Sequence, residues 1–134
     1  MQGGLFGARP VPSGGQVVYG ILFFVQLWCG LDIQTYMATC SWYGIECQGR
    51  TTANGEIYNR FDMTCAHVSA PFNSLVLVRN RGKYVIVRVN DRIPAYYNRE
   101  VDLSEASFAA IEDCDVGVID ARITLIRVEN NEDH

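Results

Sequence analysis

The 134 residues leave room for one domain, of which roughly ninety to a hundred suffice for a core that folds without a metal. Eleven basic and fifteen acidic residues give a formal charge of -4 and are spread without a Lys/Arg run, so the electrostatic footprint of a nucleic-acid binder is missing. Five cysteines with no C-x-x-C pair, and His67 and His134 as the only imidazoles, argue against a zinc site of regular Cys/His spacing, and no cofactor is implied.

Residues 1–16 are rich in Gly and Pro, with Arg9 the single charge, and precede an apolar run, residues 17–28. That run is shorter than the roughly twenty residues that span a bilayer, but it has the length of an export-signal core. Its basic end is weak and no A-x-A-like cleavage text follows. Two readings stand for the leader, residues 1–37: an export signal or membrane anchor, or an arm that packs on the domain or docks through residues 17–28 on a membrane or an assembly partner. Met37-Ala38-Thr39-Cys40 approximates a lipid-attachment text, with Thr39 a poor fit before the Cys. If Cys29 leaves with the leader, Cys40, Cys47, Cys65 and Cys114 remain. Four is compatible with two disulfides in an oxidising compartment, or with small buried hydrophobes.

From Cys40 onward the text reads as short strands between turn-rich loops. Cys40–Tyr43 is a short β start closed by Gly44, and residues 48–56 have turn chemistry, with Asn54-Gly55 suited to positive φ. Residues 74–79 and 84–89 form strands around the tight turn Asn80-Arg81-Gly82-Lys83, a β-hairpin. An irregular loop holding Pro94 spans 90–98, and Glu100–Leu103 is a further strand. Ser104 is placed to cap a helix over 105–112, with Glu105 favourable in its first turn. Residues 121–128 alternate as a final strand, and 129–134 form a charged tail. This is a mainly β chain, a compact barrel with one or two short helices.

The chemistry on offer is carboxylic. No G-x-S-x-G elbow and no phosphate-cradling glycine loop is present. Cys65 and His67, two residues apart, would share a face of a strand, either as a reactive pair or as a buried thiol beside a hydrogen-bonding imidazole. Asp91 follows an apolar strand between Asn90 and Arg92, where a rigid element holds it and neighbours tune its proton affinity. Glu56 closes the Asn-Gly turn. Two carboxylates across a groove are the equipment for breaking a glycosidic bond. Turn-capping by Asp91 and plain solvation of Glu56 are the competing readings. Trp42, Tyr43, Tyr58, Tyr96 and Tyr97 are candidates for stacking on sugar rings, or for core and rim.

The blocks Ser41-Trp42-Tyr43-Gly44, Gly49-Arg50-Thr51-Thr52-Ala53-Asn54-Gly55-Glu56, Ala66-His67, Val87-Arg88-Val89-Asn90-Asp91-Arg92 and Val101-Asp102-Leu103-Ser104 resemble, in order and spacing, the RlpA-like family. The resemblance covers residues 38–128. It implies a six-stranded double-psi β-barrel, the scaffold also of expansins and barwin-like proteins. It also implies an envelope-associated lytic transglycosylase that cleaves peptidoglycan strands lacking stem peptides and leaves a 1,6-anhydro end. Asp91 falls in the block of the family's catalytic aspartate and Glu56 in that of its second acid. His67 matches a groove histidine, while Asn90, Arg92, Asn54 and Tyr43 become substrate-binding residues. Ile93 stands where the family has Gly, which narrows the groove beside Asp91. Asn73 stands where the family's Pro-Phe-Gly-Thr turn has Gly, and Asn supplies the left-handed conformation such a turn requires.

Three functions are carried forward. The first is the transglycosylase, in the periplasm or cell envelope. The second is a non-catalytic wall-binding or wall-loosening module. The third is a structural component of a phage tail or envelope machine, and hence virion-associated.

Overall fold

The structure, a computed structural model, describes residues 32–128. The expectations for residues 17–28, for Cys29 and for the 129–134 tail lie outside them. The chain divides into two units, Met1–Ile33 and Gln34–His134, and the second carries the barrel.

Six strands follow in chain order: β1 (Asp32–Tyr43), β2 (Thr64–His67), β3 (Leu75–Asn80), β4 (Lys83–Arg92), β5 (Val101–Ser104) and β6 (Ile119–Arg127). They close into a barrel in the order β1-β5-β2-β4-β3-β6. β1 with β5 and β2 with β4 are parallel, whereas β2 with β5, β3 with β4 and β3 with β6 are antiparallel. This is the double-psi β-barrel expected from the sequence.

Alternation builds the core. Val76 and Val78 of β3 pair with Val87 and Val85 of β4 on one side and with Leu125 and Ile123 of β6 on the other. All six are buried, so period-2 apolar text puts one continuous layer inside the barrel. The β3–β4 hairpin turns on Arg81 (φ 49°) and Gly82 (φ 81°), both left-handed, as a two-residue turn matched to strand twist requires. Asn73 has φ 70°, the left-handed backbone expected of it.

Several boundaries differ from the sequence reading. β1 runs twelve residues rather than four, and its text, DIQTYMATCSWY, lacks clean alternation. β2 has no period-2 signature because all four residues are buried between β4 and β5. β4 extends to Arg92, so Asn90 and Asp91 lie on the strand and not in the following loop. The extension comes from pairing with β2, which a local reading does not contain. The helix α1 is shorter, Glu105–Ala109, with Ser104 Oγ accepting from Ser107 N as the N-cap. Cys40, Cys47, Cys65 and Cys114 are free thiols, so the two-disulfide reading is not realised among the described residues.

Candidate active site

One row of register partners crosses four neighbouring strands. Ser41 on β1 pairs with Asp102 on β5, Asp102 with Ala66 on β2, and Ala66 with Asp91 on β4. Partners in a row point to the same face of a sheet. Two strand spacings therefore separate the Cα atoms of Asp91 and Asp102, about 10 Å, with only a methyl group between their side chains.

Asp91 joins this row because of a bulge. Along β4 Val85, Val87 and Val89 are buried in alternation, with Asn90 buried beside them, and strict alternation would send Asp91 into the core as well. Register instead steps from Cys65↔Val89 to Ala66↔Asp91, leaving Asn90 as the extra residue. The bulge reverses the phase and turns Asp91 out of the barrel interior.

Asp91 and Asp102 line one cleft of about 330 Å³, together with a third acid, Glu46, and with Trp42, Tyr43, Cys47, Ala66, Arg92, Ile93 and Arg99. Asp91 Oδ1 accepts from the backbone N–H of Ala53 (2.9 Å) and from that of Arg92 (2.9 Å), which leaves Oδ2 outside both bonds. Asp102 Oδ1 accepts from Ser41 Oγ (2.6 Å), and Ser41 Oγ accepts from Arg99 Nη1 (3.0 Å). Burial holds the Asp102 carboxyl above its ordinary range, the Ser41 bond and Arg99 oppose the rise, and the charge of Asp91 adds to it. The Tyr43 ring stacks on Tyr58 (centroids 4.4 Å apart), and its hydroxyl is buried without a hydrogen-bond partner. Burial and then the charge of Asp91 push that phenol up strongly. The Arg92 guanidinium lies over the Phe72 ring, 4.1 Å from its centroid. Ile93 is buried to 7% exposure and forms one wall of the cleft. Gly44 closes the Ser-Trp-Tyr-Gly block, where any Cβ would sit 2.6 Å from the Trp42 ring.

Of the seven residues expected at the site, the cleft gathers Asp91, Arg92 and Tyr43; Glu56, Asn54, Asn90 and His67 do not line it. Glu56 is clasped by Arg88, through Nη1 to Oε2 (2.7 Å) and Nη2 to Oε1 (2.6 Å), with Asn54 Nδ2 (2.6 Å) and Asn90 Nδ2 (3.4 Å) as further donors. The Arg88 hydrogen bonds, foremost, lower its carboxyl to about 2. Such a group holds no proton to give near neutrality. The clasp ties the 51–57 turn onto β4, where Asn54 N donates to Asn90 O (3.3 Å), and the same turn presents Ala53 N to Asp91.

His67, 2% exposed, is likewise a tie. Nδ1 accepts from the backbone N–H of Ser69 (3.0 Å) and Ala70 (2.8 Å), which puts the ring proton on Nε2, bonded to the Tyr36 hydroxyl at 3.0 Å. Burial, then Arg92 and Arg127, lower the imidazole to about 4, so it stays neutral. With both nitrogens engaged and the buried Cys65 thiol pushed up, no Cys65–His67 nucleophilic pair forms. Asp102, which shares the cleft with Asp91 and with Glu46, stands in the sequence only as one residue of the Val-Asp-Leu-Ser block. Its signal was a lone charge between two buried aliphatics on a short strand.

A closed double-psi barrel with the acidic residues Asp91, Asp102 and Glu46 lining one cleft defines the class. Residues 36–123 match the double-psi β-barrel family described as lytic transglycolase, and the chain belongs to that family. It is 44% identical over 110 residues to the endolytic peptidoglycan transglycosylase RlpA of Pseudomonas aeruginosa, covering 75% of this chain and 31% of that protein. It is 42% identical over 97 residues to the protein of the same name from Vibrio cholerae, covering 71% and 37%. The chain thus spans about a third of the length of these curated relatives. The solved structures of Streptomyces papain inhibitor (TM-score 0.58, 24% identity, 72% of this chain and 96% of that one) and of a Clavibacter michiganensis expansin (TM-score 0.55, 23% identity, 72% and 52%) share the fold.

Proposed function

We propose that the chain cleaves peptidoglycan glycan strands as a lytic transglycosylase, with Asp91 and Asp102 as the reacting pair. The observation that carries this reading is the register row that sets the two carboxyls on either side of Ala66 in one cleft. The names of the relatives, endolytic peptidoglycan transglycosylases, supply the substrate class. Such a substrate places the working protein in the cell envelope.

Asp102, whose carboxyl burial holds above its ordinary range, donates its proton to the bridging oxygen between the MurNAc and GlcNAc rings. The C1–O bond breaks with its electron pair on the leaving oxygen, and Asp91 stabilises the positive charge that develops at C1. The C6 hydroxyl of the same sugar attacks C1 and returns its proton to Asp102, so the product is a 1,6-anhydro end and no water is consumed. From the sequence Asp91 is the expected acid and Glu56 its partner. The burial of Asp102 and the two amide donors on Asp91 favour Asp102 as the proton carrier, and Glu56 becomes a positioning residue. Arg92 and Tyr43 orient the strand, while His67, Asn54 and Asn90 hold the walls.

The test is digestion of purified glycan strands by the full chain, with products read by mass spectrometry. Anhydro-ended fragments that vanish in Asp91→Asn and Asp102→Asn support the reading. Strands bound but left intact by the folded protein would replace it with a wall-binding module.

A further inference from the structure

A second cavity of about 270 Å³ adjoins the cleft, and Tyr97 and Arg99 line both. Backbone supports it from below: Glu100 N donates to Thr39 O (3.2 Å) and Val68 N to Glu100 O (3.2 Å), a continuation of the β1–β5–β2 ladders. Met37, Ala95 and Asn98 complete its walls. Tyr97 is 48% exposed, its N–H donates to Pro94 O (3.0 Å), and its ring packs on Tyr96 with centroids 4.8 Å apart. An aromatic ring braced on one side and open on the other is a stacking platform, which loses little freedom when something settles on it.

Arg99 stands at the junction. Its bond to Ser41 Oγ, and that hydroxyl's bond to Asp102, connect the second cavity to the reacting carboxyl by two hydrogen bonds. Among the described residues Arg99 makes no carboxylate ion pair, so donors of its guanidinium are left for an outside acceptor. Aromatic face, methionine side chain, amide and guanidinium together match the surface of a pyranose ring, apolar C–H on its face and hydroxyl or acetamido groups at its edge.

We propose that this cavity is an additional sugar subsite, continuous with the Asp91–Asp102 cleft, which takes the next ring of a bound strand on Tyr97 with Arg99 and Asn98 as donors to its edge. The assignment rests on the glycan reading above, but it is tested without cleavage. Full-length Asp91→Asn protein is titrated calorimetrically with β-1,4-linked N-acetylglucosamine oligomers of two to six units. Affinity rises about tenfold at the length that first reaches the second cavity, the scale of one stacking contact. Ala95→Trp, which fills that cavity from an exposed loop position, cuts the gain below about twofold and leaves dimer affinity unchanged. Tyr97→Ala likewise removes the gain. Affinity independent of length, or a gain that survives in both variants, overturns the subsite. Length-independent binding alongside anhydro products from the wild type sinks this inference and leaves the transglycosylase reading intact. A gain that both variants abolish, with no anhydro products from the wild type, supports the subsite and sinks the catalytic reading alone.

Discussion

Asp91 and Asp102 face each other across the methyl group of Ala66, held in one row by the ladders of β2 with β4 and β5. Their separation is therefore set by strand spacing, a stiff dimension of any sheet, and not by loop conformation. The carboxyls come from different strands and are buffered differently, one by backbone amides and one by burial and a serine.

The pair predicts a distinctive pH response. Because burial raises the Asp102 carboxyl, its protonated form persists above the usual carboxylate range, and activity declines as pH rises through that raised value. Asp102→Asn should reduce turnover by about 10²–10⁴-fold and abolish the alkaline decline in whatever activity is left. A decline that persists unchanged in Asp102→Asn would assign the proton to another group. Ala66→Leu should silence cleavage by filling the space between the carboxyls. A variant that is folded by circular dichroism and fully active would refute that geometry.

Glu56 and Arg88 form a bidentate ion pair, and the positioning role proposed for it is testable. The pair is more than a third exposed, so Glu56→Gln should cost no more than about 1 kcal/mol of stability in urea titration. Displacement of Ala53 N from Asp91 should lower kcat/KM by about ten- to a hundredfold. The pH–rate profile should keep its shape, since Glu56 does not titrate near neutrality. Loss of one limb of that profile would instead make Glu56 a proton-transfer group.

His67 makes the fold acid-sensitive. Its imidazole titrates at 6.5 in the reference state and at about 4 in the fold, so the unfolded chain takes up the proton first. Its contribution is complete above about pH 6.5 and is lost as pH falls towards 4, on the order of 3 kcal/mol in all. Denaturant midpoints measured at pH 7, 5.5 and 4.5 should fall in that order. His67→Gln should be less stable at pH 7 and show a flatter slope. An equal slope in both proteins would place the acid sensitivity elsewhere.

Thiol chemistry should divide by burial. Cys40 and Cys65 are inside the barrel, and burial pushes the Cys40 thiol up to about 12 and the Cys65 thiol up strongly too. Cys47 and Cys114 are only half-buried, and Cys47 lines the cleft. Maleimide labelling of the folded protein, mapped by mass spectrometry, should mark Cys47 and Cys114 and spare the other two. Labelled protein should lose glycan cleavage, and Cys47→Ser should resist that loss. Modification of Cys65 without unfolding would contradict the burial assigned to it.

Local text determined much of this protein. Period-2 valines specified the β3–β4 hairpin, the Arg81-Gly82 turn and the Ser104 cap followed from backbone and hydrogen-bond chemistry within a few residues, and Asn73 supplied its left-handed turn. The spaced blocks of the family resemblance identified the barrel and pointed to Asp91. What they do not give is which motif residues line the cleft, because motif residues cluster for chemistry and for support alike. Glu56 and His67 read as site residues; the fold holds Glu56 ion-paired with Arg88 and His67 buried, both outside the lining of the cleft. β2 and the far end of β4 had no local signature, since their strand character comes from pairing with each other. The pairing of Asp91 with Asp102 was decided by tertiary structure alone. A one-residue bulge at Asn90 reverses the facing of every later residue on β4, and it exists only in the pairing of β4 with β2.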